Sequence, residues 1–171
     1  QLFSELASHK LDMVLIDRPL PPDSGVRGYN HELGRSPLAL FASPELAARA
    51  RQGFPASLEG LPLLIPGEKS ATHDSLLAWY RQQGIHPHLV GQFDDSTLMK
   101  SFGKAGMGIF PAPLAMADEI ARLYGVERIA TLTEVTLSYY LVSAGRHLSH
   151  PGVQAVMEGA KQRLAALGGK K

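Results

Sequence analysis

The sequence predicts an α/β fold with largely parallel sheets. Short apolar runs without alternation, such as Met13-Val14-Leu15-Ile16 and Leu61-Pro62-Leu63-Leu64-Ile65, mark strands buried on both faces. Between them lie segments whose apolar residues recur at helical spacing. Glycines and prolines punctuate the two kinds, which alternate as βα units do. The 171 residues suffice for one domain, or for two small lobes sharing the chain.

Leu2, Phe3, Leu6 and Ala7 predict a helix to about Lys10, followed by a strand over Asp12–Asp17. Pro19, Pro21 and Pro22 then stop regular structure and form a candidate hinge. Val26–Gly34 and Leu38–Phe41 are expected to be extended. Ser43-Pro44-Glu45-Leu46 opens a helix, with Ser43 as cap, Pro44 at the first helical position and Glu45 at the positive end of the dipole. Gly53 closes it. Leu61–Ile65 is a strand ended by Pro66-Gly67, and a helix follows from about His73 to Gln83, stopped by Gly84. Leu89–Phe93 is strand-like. Asp94-Asp95-Ser96 offers caps to a helix whose buried face is Leu98, Met99, Phe102 and Ala105, ended by Gly106. Met107–Phe110 predicts a strand, and Pro113 starts a helix carrying Met116, Ile120 and Leu123, stopped by Gly125. Strands are expected near Val126–Ala130 and Leu137–Ser143. The last helix, about Pro151–Leu167, is expected to bury Val153, Val156, Met157, Ala160, Leu164 and Leu167. Phe110–Pro113, or the segment before Pro151, is a candidate for a second hinge crossing.

Composition narrows the function. A net charge of +1 gives no basic field for a nucleic acid backbone, and the tail Gly168-Gly169-Lys170-Lys171 is too short to supply one. The chain has no cysteine, which excludes disulfides and thiolate metal sites and fits a reducing, cytoplasmic setting. No apolar run approaches the roughly 20 residues of a membrane span, and the start carries no signal peptide pattern. Gln1, rather than Met, opens the chain inside a helical pattern, so a fragment with further residues upstream is expected.

Two segments join a strand end to a helix start, the place where open α/β sheets bind ligands. Pro66-Gly67-Glu68-Lys69-Ser70-Ala71-Thr72 is the first. Ser70 and Thr72 can cap the helix, face an anion at its N-terminus, or do both. Phe93-Asp94-Asp95-Ser96-Thr97 is the second. Asp95 reads as an N-cap with Asp94 as its solvated neighbour, while the carboxylate pair is also suited to a cation or an amine. Adjacent side chains point apart, which argues against a catalytic dyad. Gly103-Lys104-Ala105-Gly106-Met107-Gly108 follows a helix and opens a strand, the reverse of a nucleotide-binding fingerprint. His86-Pro87-His88 and His147–His150 lack metal-ligand spacing and read as surface histidines. No Gly-x-Ser-x-Gly elbow occurs. No metal, cofactor or catalytic constellation is expected, and the chain reads as a binding module rather than an enzyme.

Leu11-Asp12-Met13-Val14-Leu15-Ile16-Asp17 is similar to a strand of LysR-type transcriptional regulators. Pro37–Pro44, Ala105-Gly106-Met107-Gly108-Ile109-Phe110-Pro111 and His150-Pro151-Gly152-Val153 resemble further segments of that family, in the same order. Leu63–Gly67 with Gln92–Gly103 resembles the branch that activates sodium/proton antiporter genes. The resemblance implies a two-lobed, periplasmic-binding-protein-like (type 2) effector-binding domain over 1–171. Lobe I would take about 1–20 and 115–171, and lobe II about 21–114. It implies a small-molecule or cation effector in an interlobe cleft lined by Asp17, Ser70, Thr72, Asp94, Asp95, Ser96, Phe110 and Pro111. It further implies a homo-oligomer, dimer or tetramer, and DNA contact only through an N-terminal helix-turn-helix outside this chain. A solute-binding module for transport is the alternative, and an α/β hydrolase or transferase using Asp94, Asp95 or His73 is a third reading.

The same comparison implies that lobe I lacks its first strand, first helix and second strand, which leaves the edge of Asp12–Asp17 open. Oligomerisation or strand exchange is therefore expected to cover it. Light scattering checks this, and a monodisperse monomer counts against it.

Overall fold

In a computed structural model, residues 2–21, 24–146 and 150–168 are described. Pro22, His147, the Leu167 side chain and the Lys170-Lys171 tail lie outside the described residues. The elements run α1 (Leu2–Ala7), β1 (Met13–Ile16), β2 (Tyr29–Ala42), α2 (Pro44–Arg51), β3 (Pro62–Pro66), α3 (His73–Gln82), β4 (His88–Phe93), α4 (Ser96–Lys104), β5 (Phe110–Pro113), α5 (Ala117–Tyr124), β6 (Glu127–Ser143) and α6 (Pro151–Gly168). The α/β class is as expected, but the pairing is mixed. Within a four-stranded sheet of order β1-β6-β2-β5, β1 runs antiparallel to β6 and β2 antiparallel to β5. Parallel pairing joins β3 to β4 and, through Leu63 and Ile109, β3 to the chain just before β5. A parallel neighbour needs a helix-sized crossover. Helices α3 and α4 supply those two.

Two compact units are present: residues 1–36 with 138–171, and residues 37–137. The lobe limits expected near 20 and 115 followed prolines. The units follow contacts, and the chain passes from one to the other inside β2 and β6. Each of these is one continuous strand where the sequence suggested two. In β6 the gap is filled by a largely polar stretch of high strand propensity, Thr131-Leu132-Thr133-Glu134-Val135-Thr136, with Leu132 and Val135 buried.

The unit of residues 37–137 is built on two apolar clusters. One packs Leu38, Leu40, Leu63, Ile65, Leu76, Trp79 and Tyr80 with Ile109 and Ile129. The other packs Phe41, Leu64, Met99, Phe110 and Ile120. Leu63, Leu64 and Ile65 of β3 belong to both sides at once, which explains their unbroken apolar run. Arg51, at the end of α2, pairs with Glu127 at 2.6 Å and donates to the carbonyl of Arg128, fixing the start of β6. Gly125 closes α5 at φ 63°, the left-handed position the sequence suggested. Ser43 makes no side-chain bond to α2, so Pro44 and Glu45 carry the expected start.

The unit of residues 1–36 and 138–171 holds Leu6, Val14, Leu20 and Val142 in one cluster, and Leu33, Leu141 and Val153 in another. Val153 is the α6 residue buried deepest, while Val156 is 38% exposed, against expectation. Strand β1 stands at one end of the sheet order, with Leu15 exposed.

Gly103 lies against the Phe110 ring so closely that a Cβ there overlaps ring carbons. Gly103→Ala is expected to lower stability by about 1–3 kcal/mol through overpacking. Urea unfolding checks this, with unchanged stability as the contrary outcome.

Candidate functional site

Parallel pairing brings the carboxyl ends of β3 and β4 to one edge. The Gly67 N–H donates to the Phe93 carbonyl at 2.7 Å. Asp94 Oδ1 stands where a Cβ on Gly67 would go, so a larger residue there would displace the exposed Asp94 side chain. The two predicted segments, 66–72 and 93–97, therefore do meet.

They differ at the next step. On the β3 side, the Ser70 and Thr72 hydroxyls are 3.1 Å apart and the Thr72 N–H donates to Ser70 Oγ at 3.3 Å. Thr72 is 6% exposed and holds the N-cap position of α3, yet its hydroxyl caps none of the first-turn amides. The amides of Asp74 and Ser75 thus receive no capping oxygen from it. On the β4 side, Asp95 Oδ1 accepts from the amides of Thr97 at 2.7 Å and Leu98 at 3.3 Å. These two bonds hold its carboxyl below the usual aspartate range. The cap reading of Asp95 is therefore what the structure has. Asp94 is exposed, and exposed Ser96 accepts from Lys100 Nζ at 3.4 Å.

The other predicted residues lie elsewhere. Phe110 is fully buried and stacks on Phe41 at 5.8 Å between ring centres. Pro111 is buried in β5 opposite Leu40. Asp17 belongs to the unit of residues 1–36 and 138–171, beside Arg18 at 3.5 Å. There, burial and then the Asp17 charge push the Tyr139 hydroxyl above its usual range.

Sequence reading did not find two histidine arrangements. His73 is 9% exposed, and its Nδ1 lies 2.8 Å from the Pro66 carbonyl. A carbonyl only accepts, so Nδ1 carries the proton. His31 Nε2 lies 2.9 Å from Ser143 Oγ, whose own hydrogen goes to the Gly145 carbonyl at 2.7 Å. His31 must therefore donate, and it cannot act as a base for that serine. The partners are 112 residues apart in sequence, and no spacing signals them. Tyr80, pushed up by burial alone, is a core group rather than an acid. Among the described residues no three His, Asp or Glu side chains gather as a metal site would require.

A family model described as "LysR substrate binding domain" matches residues 1–165. The chain belongs to the LysR substrate-binding domain family. The transcriptional activator protein NhaR of Escherichia coli (strain K12) is 33% identical over 158 residues, covering 91% of this chain and 50% of that protein. The chain thus spans about half the length of the curated relatives it matches first. Two solved structures share the fold. The CcmR regulatory domain of Synechocystis PCC6803 in complex with 2-PG has a TM-score of 0.63 at 10% identity, covering 99% of this chain and 79% of that one. The AmpR effector domain of Pseudomonas aeruginosa has a TM-score of 0.66 at 23% identity, covering 94% and 75%. The fold is thus the periplasmic-binding-protein-like type 2 fold, and the chain is a regulatory, effector-binding domain rather than an enzyme.

The depressed Asp95 carboxyl gives a pH dependence. Its contribution to stability is fully present above the pKa of an unfolded-chain aspartate, and is lost as pH falls through the lower folded value. In Asp95→Ala, the acid limb of a stability–pH curve should flatten. An unaltered limb contradicts the cap.

Proposed function

We propose that this domain senses a small organic anion at the N-terminus of α3, received by the Ser70 and Thr72 hydroxyls and the first-turn amides. One observation carries the choice. Of the two helix starts at the sheet edge, α4 is closed by the Asp95 carboxylate, whereas the Thr72 hydroxyl caps none of the first-turn amides of α3. A carboxylate or phosphate oxygen completes an uncapped start and is repelled by a carboxylate-capped one. Asp74 in the first turn of α3 is exposed, so solvent screens its opposing charge. Asp94 flanks the site beside Gly67 and selects against a second negative group. The ligand reported in the CcmR complex supports a small molecule as effector in this fold. A cation on Asp94 and Asp95 is less favoured, because Asp95 Oδ1 is spent on two amides. Phe110 and Pro111 act here by packing, and Asp17 is not needed for this reading.

In this proposal the two compact units correspond to the two lobes of the family's fold. The whole protein is a cytoplasmic, homo-oligomeric regulator whose DNA contacts lie in a helix-turn-helix outside this chain. Likeness to NhaR supports an activator, and the sodium/proton antiporter genes are the target class that the sequence resemblance suggests. That relative also favours gene regulation over solute transport.

A thermal-shift panel of small carboxylates and phosphates, with sodium and lithium salts as controls, tests the site. A ligand at about a hundred times its Kd should stabilise the chain by about 2.7 kcal/mol. Thr72→Val and Ser70→Ala should each remove most of that gain while leaving the ligand-free melting temperature close to normal. A response that survives both substitutions, or that follows sodium alone, rules the α3 site out.

A further inference from the structure

The unit of residues 1–36 and 138–171 carries an open, solvent-facing cavity of about 670 Å³ on its surface. His31 and Glu32 of β2, Arg146 beyond β6, and Met157, Glu158 and Lys161 of α6 line it. The three α6 residues fall on one helix face by their spacing.

The charges balance, with two cations and two carboxylates in the lining. Arg146 and Lys161 have no hydrogen-bond or ion-pair partner among the described residues. Glu32 is paired with Arg35 at 3.0 Å. Glu158 accepts through Oε1 from Gln162 at 3.2 Å, which leaves its charge uncompensated by that neutral partner. A simple anion drawn to Arg146 and Lys161 meets repulsion from Glu158, and a simple cation meets the reverse. A ligand carrying both charges meets neither penalty.

The His31 ring is fixed in the way this requires. Ser143 is 3% exposed and gives its hydrogen to Gly145, so it takes one from His31 Nε2. That leaves Nδ1 as the acceptor of the neutral ring. Met157 is the apolar member of the lining, a flexible thioether that adapts to aliphatic groups.

We propose that this cavity binds an α-amino acid as its zwitterion. Arg146 and Lys161 take the carboxylate, for which the guanidinium fork is shaped. Glu158 and His31 Nδ1 take the ammonium, and Met157 meets the side chain. This site is independent of the one proposed on α3.

The test is a two-dimensional NMR titration of the isotope-labelled chain with each common L-amino acid, using acetate and methylamine as half-ligands. Saturable shifts are expected at Arg146 and along α6 with an amino acid, and not with either half-ligand at the same concentration. Arg146→Ala and Glu158→Gln should each weaken binding by about tenfold or more, the loss of one charge-assisted bond. Thr72→Val should leave it unchanged. The proposal is overturned if no amino acid shifts these signals, if acetate alone reproduces the shifts, if neither lining substitution weakens them, or if Thr72→Val abolishes them.

Discussion

Strand β3 sets the layout of the unit of residues 37–137. Leu63, Leu64 and Ile65 are at most 1% exposed, and the strand has parallel partners on both sides. Parallel partners place their carboxyl ends at the same edge, and the crossovers that make them parallel must be helices. Two helix N-termini, of α3 and α4, therefore arrive side by side for reasons of strand direction alone. At that edge the Gly67 N–H reaches the Phe93 carbonyl, and the exposed Asp94 carboxylate lies against Gly67.

Those two helix starts differ both in side chains and in backbone. Asp95 uses one oxygen on two amides, which satisfies α4 and covers its positive end with negative charge. Thr72 occupies the same position on α3 but turns its hydroxyl toward Ser70. One helix start is thereby closed by a carboxylate, and its neighbour is the one proposed to receive an anion. The backbone differs as well, since Thr72 is helical at ψ −8° whereas Asp95 is extended at ψ 113°.

Much of this is legible in the sequence, and the failures have physical causes. The order of elements, the glycine stop at Gly125 and the Asp95 cap follow from local propensities and match the structure. The length of β2 and β6 does not follow, because a long strand that leaves one compact unit for another has no single hydrophobic period. The meeting of segments 66–72 and 93–97 follows from fold logic, whereas the inequality of their caps needs coordinates. A Thr at an N-cap position reads as a cap, and only the Ser70 hydroxyl beside it shows otherwise. The His31–Ser143 contact joins ends of the chain that no local pattern relates.

One of the segments that resemble the family illustrates what such likeness can carry. In Ala105–Pro111, Gly106 takes φ 79° to end α4, and Gly108 leaves room for Leu64 and the Pro62 carbonyl. Ile109 pairs with β3, and Phe110 fills the space that Gly103 leaves open. Every one of these roles is packing or backbone turn. The architecture persists at 10% identity, the level shared with the CcmR domain. It transmits nothing about which molecule the domain senses. The proposed effector is therefore argued from Ser70, Thr72 and Asp95, whose polar groups the packing motif does not set.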